Sequence, residues 1–210
     1  MPRIVRDHPL LAVVSLGYVV GFTVFGIATE RGQTTTYLVQ LAVTFALVAA
    51  IHERVGFSGH VLWALSFWGL LHAAGGILYT GEEVLYRFKA APVLPRFDQA
   101  VHAFGFGAAT VAVWQGLRTE LRRGTQPGAG IGFVVALAGM GVGALNEVLE
   151  FLSTRIFAET NVGGYVNTGW DLVYNALGAS AAAAWIAIRE RRTGTALSLR
   201  GPVDGTASSP

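Results

Sequence analysis

Cysteine is absent from the 210 residues, which excludes disulfides, thiolate metal sites and cysteine nucleophiles. Charge is also scarce. Asp, Glu, Lys and Arg make up 13% of the chain, against about a quarter in a soluble domain. The formal net charge of +2 is too small to suggest a nucleic-acid partner. Its basic residues cluster at the ends of apolar runs, as membrane orientation requires. No stretch outside those runs is long enough for a soluble domain of useful size.

What fills the chain is hydrophobic residues, at 52%. Crossing the hydrocarbon core takes about 20 mostly apolar residues in a helix. Runs of this kind cover roughly residues 10–28, 35–51, 59–79, 98–117, 129–152 and 170–188. The fold class expected is therefore all-α, a polytopic membrane bundle of about six transmembrane helices within residues 1–192. Residues 193–210, rich in Ser, Thr, Gly and Pro, are expected to form a disordered cytoplasmic tail. The first run is longer than the 7–15 apolar residues typical of a signal peptide, so it reads as a retained helix.

With six spans, both termini share a face with the second and fourth connections. That face holds Arg3, Arg6, Arg54, Arg118, Arg122, Arg123, Arg189, Arg191, Arg192 and Arg200, and the other holds Arg31, Arg87, Lys89, Arg96 and Arg155. Ten against five predicts that both termini lie in the cytoplasm. The expected location is the inner (plasma) membrane, crossed several times. Residues 80–97, the longest connection, mix charged and apolar types and read as an interfacial segment.

Ionisable residues inside spans cost about 2.5–3.5 kcal/mol each on insertion scales and usually face the bundle interior. Here they are His72, Asp98, His102, Glu147, Glu150 and Asp171, with Asn146 and Asn175 beside them. Asp98 and His102 share a helix face, as do Glu147 and Glu150, and Asp171 and Asn175. The third and fifth spans run outward while the fourth and sixth return, so all four polar ends converge near the non-cytoplasmic surface. Asp98, Glu150 and Asp171 are expected in an outer layer. His72, His102, Glu147 and Asn175 should lie about one turn deeper, roughly 5 Å.

His72, Asp98, His102, Glu147, Glu150, Asp171 and Asn175 form the candidate catalytic site. Of these, His72, His102, Glu147 and Glu150 are the candidate ligands for a divalent metal such as zinc. The same groups could serve as general acid and base, carboxylates orienting the imidazoles. No HExxH motif is present, and the histidines lie on different helices. Blander readings stand beside these. Asp98 and Asp171 suit helix N-caps, and Glu147 and Glu150 suit pairing that holds the bundle together. His52, Glu53 and Arg54 read as an interfacial turn, and Trp114, Trp170 and Trp185 as an aromatic belt. Gly139, Gly141 and Gly143 permit close helix packing. Gly105 and Gly107 do the same, or leave room for a substrate.

The segments Phe97-Asp98-Gln99-Ala100-Val101-His102-Ala103-Phe104, Asn146-Glu147-Val148-Leu149-Glu150-Phe151 and Asp171-Leu172-Val173-Tyr174-Asn175-Ala176-Leu177-Gly178 resemble the VanZ-like membrane proteins. Those show an Asp…His helix, a Glu-rich helix end and an Asp…Asn…Gly helix in this order. His72-Ala73-Ala74-Gly75-Gly76 and the long connection resemble the YjdF group of bacterial inner-membrane proteins. The resemblance implies an inner-membrane helical bundle, points to the cell envelope, and supplies no activity. Three functions follow as expectations. The first is an enzyme acting on a membrane lipid or lipid-linked small molecule. The others are a transporter of protons, ions or small solutes, and a non-enzymatic binding protein of the envelope. No nucleic-acid partner is expected, and no protein partner is indicated.

Overall fold

The structure, a computed structural model, describes residues 1–31, 33–121, 128–157 and 160–199, with the side chains of 193–199 excepted. Six long helices form the bundle: α2 (Pro9–Ala28), α3 (Thr34–Val55), α4 (Gly59–Ile77), α5 (Phe97–Glu120), α6 (Ala129–Ile156) and α7 (Tyr165–Leu199). A short helix, α1 (Arg3–Asp7), precedes them. Between α4 and α5, a two-stranded hairpin pairs β1 (Tyr79–Thr80) with β2 (Glu83–Val84), and a single 3-10 turn follows at Leu85–Arg87. The segment expected to be interfacial is thus partly ordered backbone.

Apolar side chains point outward as well as inward. Leu16, Val24, Val43, Phe133, Leu145 and Ile188 are all exposed. In water such surfaces would drive aggregation, but in hydrocarbon they are matched to the solvent. The protein is an all-α membrane helical bundle. Five of its helices are long and apolar enough to cross a membrane, and α5 is not among them. At 24 residues α5 has the length, but it carries Asp98, Gln99, His102, Gln115, Arg118 and Glu120. Its polar residues are tolerated because the helix is central, packed on α4, α6 and α7. Gln99, His102 and Thr110 are buried.

Two outer helices, α2 and α3, complete the bundle by packing on α4. Trp114, Val135, Ala183 and Ile186 make the core at one end of α5–α7. Trp114 is therefore an interior residue, its indole donating to Glu190 Oε1 at 3.3 Å, rather than part of an aromatic belt. Trp170 and Trp185 are half exposed, as a belt requires. Gly105 is packed against the Trp68 indole and leaves no space for a substrate. His52 is corrected too: it lies within α3, 2% exposed, beside Phe57 and His8. The helix α7 continues past Arg192 to Leu199, and residues 200–210 of the expected tail, with Arg122, Arg123 and Glu159, lie outside the described residues.

Candidate functional site

At the end of the bundle where α4 finishes, α5 begins, α6 finishes and α7 begins, the helices surround a cavity of about 1230 Å³. Its lining includes His72, Asp98, His102, Asn146 and Glu150. Glu147, Asp171 and Asn175 stand behind His102, buried at 6%, 1% and 1% exposure. The up-and-down topology brings the expected polar ends together. One turn beyond His102, Phe106 is buried, 5.7 Å from the His102 ring and 5.0 Å from the Trp68 ring between centroids, so the packing behind His102 is apolar.

Both ring nitrogens of His102 face oxygen. Nδ1 lies 2.9 Å from Asn175 Oδ1 and 3.6 Å from Glu147 Oε1, while Nε2 lies 3.4 Å from Asp98 Oδ1. Oxygens of this kind accept, so each nitrogen calls for a proton, or for a cation held between Nε2 and the carboxylates. The approach of α7 to α5 depends on Gly178. A Cβ there would collide with the Ala103 carbonyl oxygen of α5. The i, i+3 spacing from Asn175 to Gly178 sets the amide on the face that touches α5.

Asp171 differs from expectation. The helix α7 begins at Tyr165, five residues ahead of the expected start, so Asp171 sits in its second turn and caps nothing. It is buried rather than in an outer layer, and Asn167, one turn earlier, donates to its Oδ2 at 2.5 Å. The same amide reaches Asp98 Oδ2 at 3.4 Å, and Arg96 donates to Asn167 Oδ1 at 3.2 Å. Asp98 is in the first turn of α5 but not at its N-cap, which is Arg96. Gln99 accepts from the Arg96 backbone N–H at 2.9 Å and fixes that turn. Asn146 donates to Glu150 Oε1 at 2.8 Å.

His72 keeps apart from this group. Its Nδ1 meets the hydroxyl of Tyr86, which also donates to the His72 carbonyl oxygen at 3.0 Å. A phenol has one proton. When that proton goes to the carbonyl, Nδ1 must donate to the phenol oxygen, leaving the lone pair on Nε2, which is buried without a partner. Tyr86 reaches this position because Gly75 leaves room for its ring. Burial pushes its hydroxyl well above the usual value of 10, so it stays a donor at neutral pH. Tyr37 packs on His72 at 5.4 Å between centroids.

Tyr37, Tyr86, Gln99 and Asn167 are the members that sequence reasoning missed. Asn167 carried a signal, since it lies four residues before Asp171 on the same face. Tyr86 carried none, because only the hairpin turns it inward.

Two groups of side chains have donor atoms within 4.8 Å of one another: Asp98, His102 and Asp171, and His102, Glu147 and Glu150. His102 belongs to both, and His72 to neither. The geometry thus brings Asp98 and Asp171 to His102 and leaves His72 outside both groups. Glu147 Oε1 and Oε2 and Asp171 Oδ1 are buried without hydrogen-bond partners. Orphaned buried carboxylate oxygens are expensive, and each lies in a group that a divalent cation would satisfy, Asp171 in one and Glu147 in the other.

Fold and site together define an integral membrane bundle with a buried carboxylate–histidine centre open to one end. The sequence model of a family described as predicted membrane protein, DUF2238, matches residues 10–192. The chain belongs to this family. No curated protein and no solved structure matches it.

Proposed function

We propose that this protein is a membrane-embedded hydrolytic enzyme acting on a lipid or lipid-linked envelope substrate at the non-cytoplasmic side of the inner membrane. The observation that carries this reading is the set of partnerless carboxylate oxygens of Glu147 and Asp171, aimed at His102 beneath an open cavity. The ten-to-five distribution of basic residues supports the orientation. Resemblance to the YjdF group and the VanZ-like proteins supports the inner membrane and the envelope.

A divalent cation held by His102 with Asp98 and Asp171 would supply Lewis acidity. The protein's own groups do the rest. Glu150, facing the cavity, takes a proton from water as its oxygen attacks the electrophilic centre. Glu150 then returns that proton to the departing oxygen, and Asn175 holds the His102 imidazole in place. The apolar packing of Phe106 behind His102 favours a dead-end reaction site over a proton path through the bundle.

The test is purified protein incubated with total bacterial lipid extract, products being read by mass spectrometry. Wild type should release a product that folded His102→Ala does not. A folded His102→Ala variant with full turnover would sink the proposal.

A further inference from the structure

The cavity has two unlike borders. At its rim, Arg87, Lys89 and Arg96 line it from the segment between α4 and α5. Glu83, also at the rim, lies 3.6 Å from Arg87. Lys89 donates to the Pro92 carbonyl at 2.9 Å, and Arg96 to Asn167. An ammonium has three donors and a guanidinium five, so all three cations keep donors to spare. Arg87, Lys89 and Arg96 are thus the cationic groups of a lining whose carboxylates are Glu83, Asp98 and Glu150.

The side border is a gap. Helix α3 packs on α4 and α2 and touches α5, and α6 packs on α7 and α5, while among the described residues α3 and α6 share no extended packing. Each presents one stripe to the cavity: Thr36, Val39, Gln40 and Val43 from α3, and Asn146, Leu149 and Ser153 from α6. The apolar members are exposed, Val39 at 58%, Val43 at 64% and Leu149 at 57%. At 1.5 Å per residue, Val43 is about 13 Å deeper than the start of α3 and Leu149 about 10 Å deeper than the end of α6. Both depths reach well into the hydrocarbon of a bilayer about 30 Å thick. A ligand can therefore enter sideways from the membrane without leaving it.

We propose that the cavity binds a phosphorylated amphiphile, its anionic headgroup held by Arg87, Lys89 and Arg96 and its chain leaving between α3 and α6. A multi-oxygen anion matches the spare donors of two guanidinium groups and an ammonium. The chain matches the apolar stripes, and the headgroup's ester linkage would then face His102. This assignment names the substrate class for the hydrolytic reading and rests on it for the chemistry, but binding is separable from turnover.

The experiment measures binding to detergent-purified full-length protein through the fluorescence of Trp170, which lines the cavity. Three probes are compared: dioctanoyl phosphatidic acid, dioctanoylglycerol and inorganic phosphate. The phosphatidic acid should bind about tenfold or more tightly than either of the others, because only it engages both borders. The double variant Lys89→Ala/Arg96→Ala should weaken phosphatidic acid about tenfold and leave dioctanoylglycerol unchanged. Filling the gap with Val43→Trp should weaken both lipids and leave phosphate unchanged. Equal binding of phosphate and phosphatidic acid would overturn the chain path, and equal binding of the two lipids would overturn the headgroup site. Lipid binding by wild type with no product from any lipid extract defeats the hydrolytic reading alone, whereas lack of selectivity among the probes in wild type defeats the amphiphile site.

Discussion

His102 on α5 meets Asn175 on α7 at 2.9 Å, and this contact joins the two helices at the depth of the buried carboxylates. Asn175 is 1% exposed, so removing its oxygen leaves a buried ring nitrogen without its acceptor. Asn175→Ala should lower stability by about 1–3 kcal/mol, read as a drop in thermal unfolding temperature in detergent. An unchanged unfolding temperature would show that the contact holds nothing together.

Metal content separates the two histidines. Elemental mass spectrometry of purified wild type should find near-stoichiometric divalent metal. His102→Ala should lose it, since His102 belongs to both donor groups. His72→Ala should retain it, because Nδ1 of His72 is engaged by Tyr86 and the residue joins neither group. Metal-free, folded wild type would remove the cation from the proposed chemistry.

Helix spacing gives a paired test. Gly178→Ala forces a Cβ into the Ala103 backbone and should destabilise by about 1–3 kcal/mol while pulling Asn175 from His102. Gly141→Ala meets nothing within 4 Å and should be neutral or stabilising by up to about 1 kcal/mol. Equal unfolding temperatures in the two variants would contradict the close α5–α7 approach.

Alkaline stability reports on Tyr86. Its folded pKa is raised by burial, so the folded state holds the proton more tightly than the unfolded chain. The associated stability is complete below the unfolded value of about 10 and is lost as pH rises from there through the folded value. Tyr86→Phe should therefore show a shallower loss of stability above about pH 10, measured by chemical unfolding across pH 9–12. Identical profiles would place the phenol in contact with water.

The sequence alone determined the class of fold. Six long apolar runs with so little charge have no stable arrangement other than helices in a membrane, because backbone polar groups must be satisfied within each segment. It also determined which end of the bundle is polar, since alternating topology sends His72, Asp98, Glu147 and Asp171 to one side whatever the packing. Helix ends were less legible. The starting point of α7 depends on Asn167 finding Asp98 of α5, a tertiary contact that no local pattern encodes.

Tertiary structure decided the membership of the site. Helical spacing shows which residues share a face of one helix, but not how that face turns towards its neighbours. That rotation followed from close approaches such as Gly178 on Ala103 and Gly75 on Tyr86. They bring Asp98 and Asp171 to His102 and hold His72 against a tyrosine from the connecting segment. Periodicity records a direction around one axis. Distances between side chains on four axes exist only once the helices have packed.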